Sequence, residues 1–245
     1  MKKYAAPVRG NLGIAAHYRS QLDRLIADMS RSVLSGVTST NASDVSRVLS
    51  LVGKQWIARF DEAAPDIAQS YVRSTFKHVD SAFRNSLKSA GWTVNPTPTQ
   101  RMIDSARLGV TENVSLIRSI PQKYLTKVEQ AVFDSFLHGR RLDELTSAIR
   151  ALHPMTARRA KFIARDQTNK LTAIVTATRQ DEVGIMECEW VHSGGGKKPR
   201  PDHVKAGADH VHYNVKKGCH LNDGWVLPGE LPNCRCVGRP LLPFQ

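Results

Sequence analysis

All four cysteines of the chain, Cys188, Cys219, Cys234 and Cys236, fall in its last quarter, and five of the nine histidines, His192, His203, His210, His212 and His220, fall among them. Thiolates and imidazoles are donors that suit zinc, which takes four such ligands in a tetrahedron. The candidate ligand set is His203, Cys219, Cys234 and Cys236, with zinc as the candidate cofactor. Such a site would account for how a loop-rich tail with little apolar material stays ordered, because metal binding contributes folding free energy directly. The spacing is unusual, however. Cys234-Arg235-Cys236 is tighter than the common Cys-x2-4-Cys, and Cys219 abuts His220, so that both could bind only across a sharp kink. Two other readings stand beside zinc. The cysteines are small buried packing groups, with His210 and His212 alternating about Val211 on the exposed face of a strand, or they form a disulfide after release from the cell.

Other chemistry is less well supported. Asp202, Asp209 and Asn222 beside His203 and His210 would suit a metal-dependent nuclease, in which a histidine acts as general base next to a bound ion. The stretch DHVKAGADHVH shows no ββα pattern, so this is the alternative reading and no catalytic residue is assigned. Gly194-Gly195-Gly196-Lys197-Lys198 lacks the spacing and the following helix of a phosphate-binding loop and reads as a hairpin tip. The tryptophans Trp56, Trp92, Trp190 and Trp225 read as core residues, Trp225 as a plug between Gly224 and Val226.

Charge points to a partner class. Lys and Arg number 35 against 22 Asp and Glu, a net +13, which makes nucleic acid a sensible first guess, with a merely solvated basic surface as the other. The candidate DNA-proximal residues are Lys197, Lys198, Arg200 and Arg235. No helix-turn-helix or zinc-finger spacing is present to carry base contacts, so binding is expected to be non-specific.

These residues need elements to position them. Tyr18, Leu22, Leu25, Ile26, Met29 and Val33 recur at three and four, one apolar stripe on a helix stopped near Gly36. Ser43 or Asp44 caps a second helix with Val45, Val48, Leu49, Val52, Trp56, Ile57 and Phe60 inward, interrupted before Pro65; a third runs from Asp66 through Tyr71, Val79, Phe83 and Leu87. GWTVNPTPTQ then breaks the pattern. A short helix follows near 100–110, then one started by Pro121 and ending at Gly139, a short one with Leu142, Leu145 and Ile149, and a long one capped by Thr156 and stopped by Gly184. IMECEWVHS alternates and reads as a strand. The fold class is therefore α+β: helical N-terminal and middle regions followed by a small irregular β module at the C-terminus. Domain boundaries are expected at 1–91 (helical), 92–100 (Pro/Thr linker) and 101–245, the last carrying the His/Cys module.

No run of about 18 apolar residues exists, and MKKYAAPVRGNLG has no apolar stretch behind its lysines, so neither a membrane span nor a secretory signal is expected and the chain should stay in the cytosol that made it.

One resemblance adds to this. A helix bearing ARDQTNKLTA, then Gly184, a strand ending at Trp190, a turn with Arg200 and His203 followed by Gly207, and the close Pro232-Asn233-Cys234-Arg235-Cys236 resemble the phage Mu F-like minor head protein family, also called the phage head morphogenesis domain. The likeness covers roughly residues 140–238, and Pro-Asn-Cys-Arg-Cys is its most specific element. It implies a structural virion component without established catalysis, in few copies, bound to the portal protein at the head vertex and present in the host cytoplasm during assembly. Its other implied partners are packaged DNA and capsid or scaffolding proteins, with no membrane and no small-molecule substrate. It further implies a role in head assembly or in the fate of DNA during ejection. Gln245 follows Cys236 by nine residues, so no effector domain is expected there. In this setting the closing Cys-Arg-Cys pins the tail back onto the strand after Gly184, with Arg235 facing outward.

Overall fold

The computed structural model describes residues 3–39, 41–97, 99–139, 141–195 and 198–243. Four long helices, α1 (Leu12–Ser35), α2 (Ala42–Ser89), α3 (Gln100–Leu137) and α4 (Leu142–Glu182), precede a mixed C-terminal module. That module holds β1 (Glu187–Val191), α5 (Pro201–Ala208), β2 (His212–Asn214), β3 (Cys219–Leu221), β4 (Gly224–Val226) and β5 (Val237–Pro240). The α+β class is as expected from the sequence.

The helix stripes are where periodicity puts them. Tyr18, Leu22, Ile26, Met29 and Val33 of α1 are all buried, as are Val45, Leu49, Trp56 and Phe60 of α2. The caps differ from expectation at one point. Asn41, and not Ser43 or Asp44, caps α2: its Oδ1 accepts the Ser43 N–H at 2.9 Å, satisfying one of the donors that a helix start leaves open.

Three expected helix breaks are absent. Pro65, Pro121 and Pro154 lie inside α2, α3 and α4, and Thr156, expected as a cap, sits within α4 and donates its hydroxyl to the Leu152 carbonyl at 3.0 Å. An internal proline forfeits one hydrogen bond and crowds the carbonyl four residues back, roughly 3 kcal/mol in an isolated helix. Packing overrides it here. The buried stripe runs on across the first two prolines, Phe60, Ala64, Ile67 and Tyr71 in α2 and Ile117, Ile120, Tyr124 and Val128 in α3; in α4 it lapses around Pro154, between Ile149 and Ala160, and is buried on either side of the gap. Burying several such side chains at about 1.5–3 kcal/mol each outweighs the loss.

The chain divides into two compact units that do not follow chain order. One comprises residues 16–69 and 110–164 and is wholly helical. Its interior includes two buried polar pairs, Tyr18 Oη donating to Asn113 Oδ1 at 3.0 Å and Tyr124 Oη to Ser30 Oγ at 3.2 Å. The other comprises residues 1–15, 70–109 and 165–245. The linker expected at 92–100, of which Pro98 lies outside the described residues, therefore falls inside a unit and does not separate two. It is fastened there by buried Arg179, which donates to the Thr97 carbonyl at 3.1 Å while pairing with Asp80 and Glu182, both at 2.8 Å.

In the second unit the turn after α4 sets up the C-terminal module. Gly184 takes φ +79°, and the Ile185 N–H reaches back to the Gln180 carbonyl at 2.8 Å, a left-handed stop that glycine adopts without strain. The chain then enters β1, the centre of an antiparallel sheet of order β2-β1-β5, with Cys188 opposite Tyr213 and Val191 opposite Val237. The strand expected after Gly184 is present, and the residues straight after Cys236 pair with it. β3 and β4 form a separate hairpin. There Trp225 is 62% exposed, contrary to the core role expected of it. The reason is strand alternation: Val226 is the buried residue, so its neighbour Trp225 must face the other way.

Candidate metal centre in a basic cleft

The helix α5 was not foreseen in a tail read as irregular β. Its eight residues are too few for a periodic signal, and its Pro201 and Gly207 look like breakers. Proline at a first helical position is in fact favourable, and Gly207 is required by closeness, because a Cβ there would press into the backbone of His192. This helix carries His203, which is 3% exposed and packs edge-on against fully buried Trp190 with ring centroids 5.0 Å apart.

The Pro232–Cys236 segment meets α5 from the other side. Asn233 adopts φ +62°, a left-handed conformation that asparagine tolerates better than most residues. Its backbone N–H donates to Asp166 Oδ1 at 2.7 Å, its side-chain oxygen accepts from Arg165, and Asn169 donates to the Cys234 carbonyl at 2.9 Å. Three residues of α4 thus fix the turn. Cys234 and Cys236, two apart on the chain and both 4% exposed, converge on His203: Nδ1 lies 3.4 Å from Cys234 Sγ and 3.8 Å from Cys236 Sγ. Arg235 between them is exposed.

Ligand atoms of His203, Cys234 and Cys236 all lie within 4.8 Å of one another. Cys219 of the expected set is buried in β3 and is not part of this group; burial, and after it the charge of Asp202, raises its thiol pKa. The two clustered thiols behave as a pair. A hydrogen bond from Cys236 lowers the Cys234 pKa against the effect of burial, helped by the N–H groups of Cys236 and Gly229 and by His203. Cys236 is raised by that same bond to Cys234 and by burial. The Gly229 N–H points at Cys234 Sγ at 3.3 Å.

The three residues also line a cleft of about 580 Å³ whose remaining wall is strongly cationic: Arg165, Lys198, Arg200 and Arg235. Of the expected basic set, Lys198, Arg200 and Arg235 are thus brought together, while Lys197 lies outside the described residues, as does Gly196 of the expected hairpin tip. Arg200 is partly engaged, with Nε 3.2 Å from Asp223 Oδ2 and a bond to the Pro232 carbonyl. Arg165 was not singled out as a basic candidate; its signal was its place in ARDQTNKLTA. Asp202, a candidate of the nuclease reading, accepts the backbone N–H groups of His203 and Asn222, both at 3.0 Å. His210 and His212 do not share a strand face. His210 sits in a turn at φ +50° and binds Glu189 at 2.7 Å, whereas His212 belongs to β2 and binds Glu187 at 2.6 Å.

Among known proteins, an uncharacterized protein of Haemophilus influenzae (strain Rd) is 36% identical over 130 residues, covering 53% of this chain and 28% of that protein. The chain therefore spans less than a third of that relative's length. No solved structure matches. The stretch 126–239 matches the family described as Phage Mu protein F like protein. The stretch that is similar to this family thus takes in all of α4, α5 and the Pro232–Cys236 turn.

Proposed function

We propose that this chain is a phage minor head protein that acts in head morphogenesis, binds the portal at the head vertex and lies close to packaged DNA. The observation that carries the reading is the family match over 126–239. Two features support it. The net charge of +13 suits residence among phosphates, because neutralising them releases counterions. The long N-terminal helices carry exposed apolar side chains, Leu12 at 82% and Leu51 at 57%, of the kind that one helix offers to a groove on a partner. The domain's role is attachment, and turnover of a substrate forms no part of it.

The experiment is co-expression with the portal protein of the same phage, followed by purification at rising salt and mass spectrometry of mature particles. A complex that survives salt sufficient to strip DNA, with the chain present in particles, is the expected result. Absence from particles together with no portal complex overturns the reading.

The nuclease alternative draws on one observation, three metal-type ligands on a cleft wall. Plasmid cleavage with Mg²⁺, Mn²⁺ or Zn²⁺ that disappears in His203→Ala would establish it. Two sulfurs and one imidazole, however, are a donor set for zinc and a poor one for the harder ions.

A further inference from the structure

We propose that His203 Nδ1, Cys234 Sγ and Cys236 Sγ hold one zinc ion, and that its fourth position opens into the basic cleft and takes an oxygen donor from it, water or a small anion. The claim stands on geometry and donor chemistry and is independent of any role in the virion.

A tetrahedral zinc with Zn–S near 2.3 Å and Zn–N near 2.05 Å sets its sulfur and nitrogen ligands about 3.5 Å apart. The observed 3.4 Å and 3.8 Å from Nδ1 to the two sulfurs bracket that edge. Two edges of the ligand triangle thus already have zinc spacing, and the third, between the two sulfurs, is within 4.8 Å. It is also pre-organised. Cys234 and Cys236 are aimed by a left-handed Asn233 turn tied to α4, His203 is held by Trp190, and the Gly229 N–H supports Cys234 Sγ. Outer groups are in place as well: Asp202 and Asp223 bring carboxylates within 4.8 Å of a ring nitrogen of His203. The other ring nitrogen, Nε2, is buried without a hydrogen-bond partner, and a short shift of either carboxylate would give it the acceptor that orients a metal-bound imidazole in many sites.

The fourth corner decides the kind of site. Among the described residues no fourth Cys, His, Asp or Glu joins the three-residue group, and Cys219 lies apart from it. All three ligand residues line the cleft that Arg165, Lys198, Arg200 and Arg235 surround. A closed structural zinc has four protein ligands, whereas three plus an open position leave room for an exchangeable one. Cationic walls favour an anion there.

The test uses the full chain prepared without chelator. Metal analysis is expected to give one zinc per chain. His203→Ala and Cys236→Ser are expected to weaken zinc binding at least about 100-fold, beyond the effect of outer-shell changes, and Cys219→Ala is expected to leave it unchanged. Because the ligand variants could unfold, the wild-type chain is also loaded with Co²⁺. Thiolate-to-cobalt charge-transfer bands with four-coordinate visible bands are expected, and the visible bands should shift when inorganic phosphate or azide is added. A metal-free chain, or a Cys234–Cys236 disulfide in freshly purified protein, overturns the site. Visible bands that ignore both anions, or a Cys219→Ala chain that no longer holds zinc, overturn the open fourth position.

Discussion

Glu189 shows how much a single side chain of the sheet is asked to do. It is 3% exposed on β1, with Oε1 2.7 Å from His210 Nδ1 and Oε2 paired with Arg239 across the β1–β5 register. Burial alone would raise its pKa, but the bonds from His210 and Arg239 and their charges outweigh burial, and the net shift is downward. A carboxylate whose folded pKa lies below its unfolded value near 4.3 contributes stability above that value and loses it as the pH falls through the folded pKa. Glu189→Gln should therefore lower stability at neutral pH, where it takes the carboxylate away from Arg239, and flatten the acid limb of the stability curve. Urea unfolding of both proteins from pH 7 down to pH 3 checks this; parallel curves would refute it. The cysteines, at the same scale, were visible in the sequence as metal-type residues. Which of them meet was not: Cys219 and Cys234 are equally plausible on spacing, and only the Asn233 turn brings Cys234 to His203.

At the level of elements, the internal prolines are the feature local reasoning misjudged. A proline is read from sequence as a boundary because its missing N–H and its ring are local facts, whereas the burial that overrides it comes from other helices and has no local signature. Pro154 is exposed, so it contributes little packing of its own. Pro154→Ala should restore the missing helical bond without opening a cavity and stabilise the chain by up to about 3 kcal/mol. Chemical denaturation measures it; a fall in stability would mean that the bend at Pro154 is itself needed for packing. α5 is the converse case, a real helix too short for periodicity to announce. The strand β1 was legible because alternation over five residues is a strong signal, and the stops at Gly36, Gly91, Gly139 and Gly184 were legible because glycine is the residue that helix termini call for.

For the whole molecule, charge is the property that reaches furthest. The proposed non-specific contact with DNA rests on a net +13 spread along the chain, and four of the cations line one cleft. Binding to duplex DNA should fall linearly on a log–log plot against salt, and the triple change Arg165→Ala, Lys198→Ala, Arg235→Ala should reduce the slope by about 0.9 for each phosphate that is no longer neutralised. An unchanged slope would move the DNA-binding surface elsewhere on the molecule.

Composition and pattern were enough to establish the helical character, the amphipathic faces, the strand after Gly184, the basic charge and the family likeness of the C-terminal stretch, because each depends on residues adjacent in the chain or one helical turn apart. Three results needed the folded chain: the division into units that each take residues from distant stretches, the continuity of helices through proline, and the meeting of His203 with Cys234 and Cys236. All three depend on the packing together of residues tens of positions apart, and free energy of that kind is distributed over surfaces that no local spacing records.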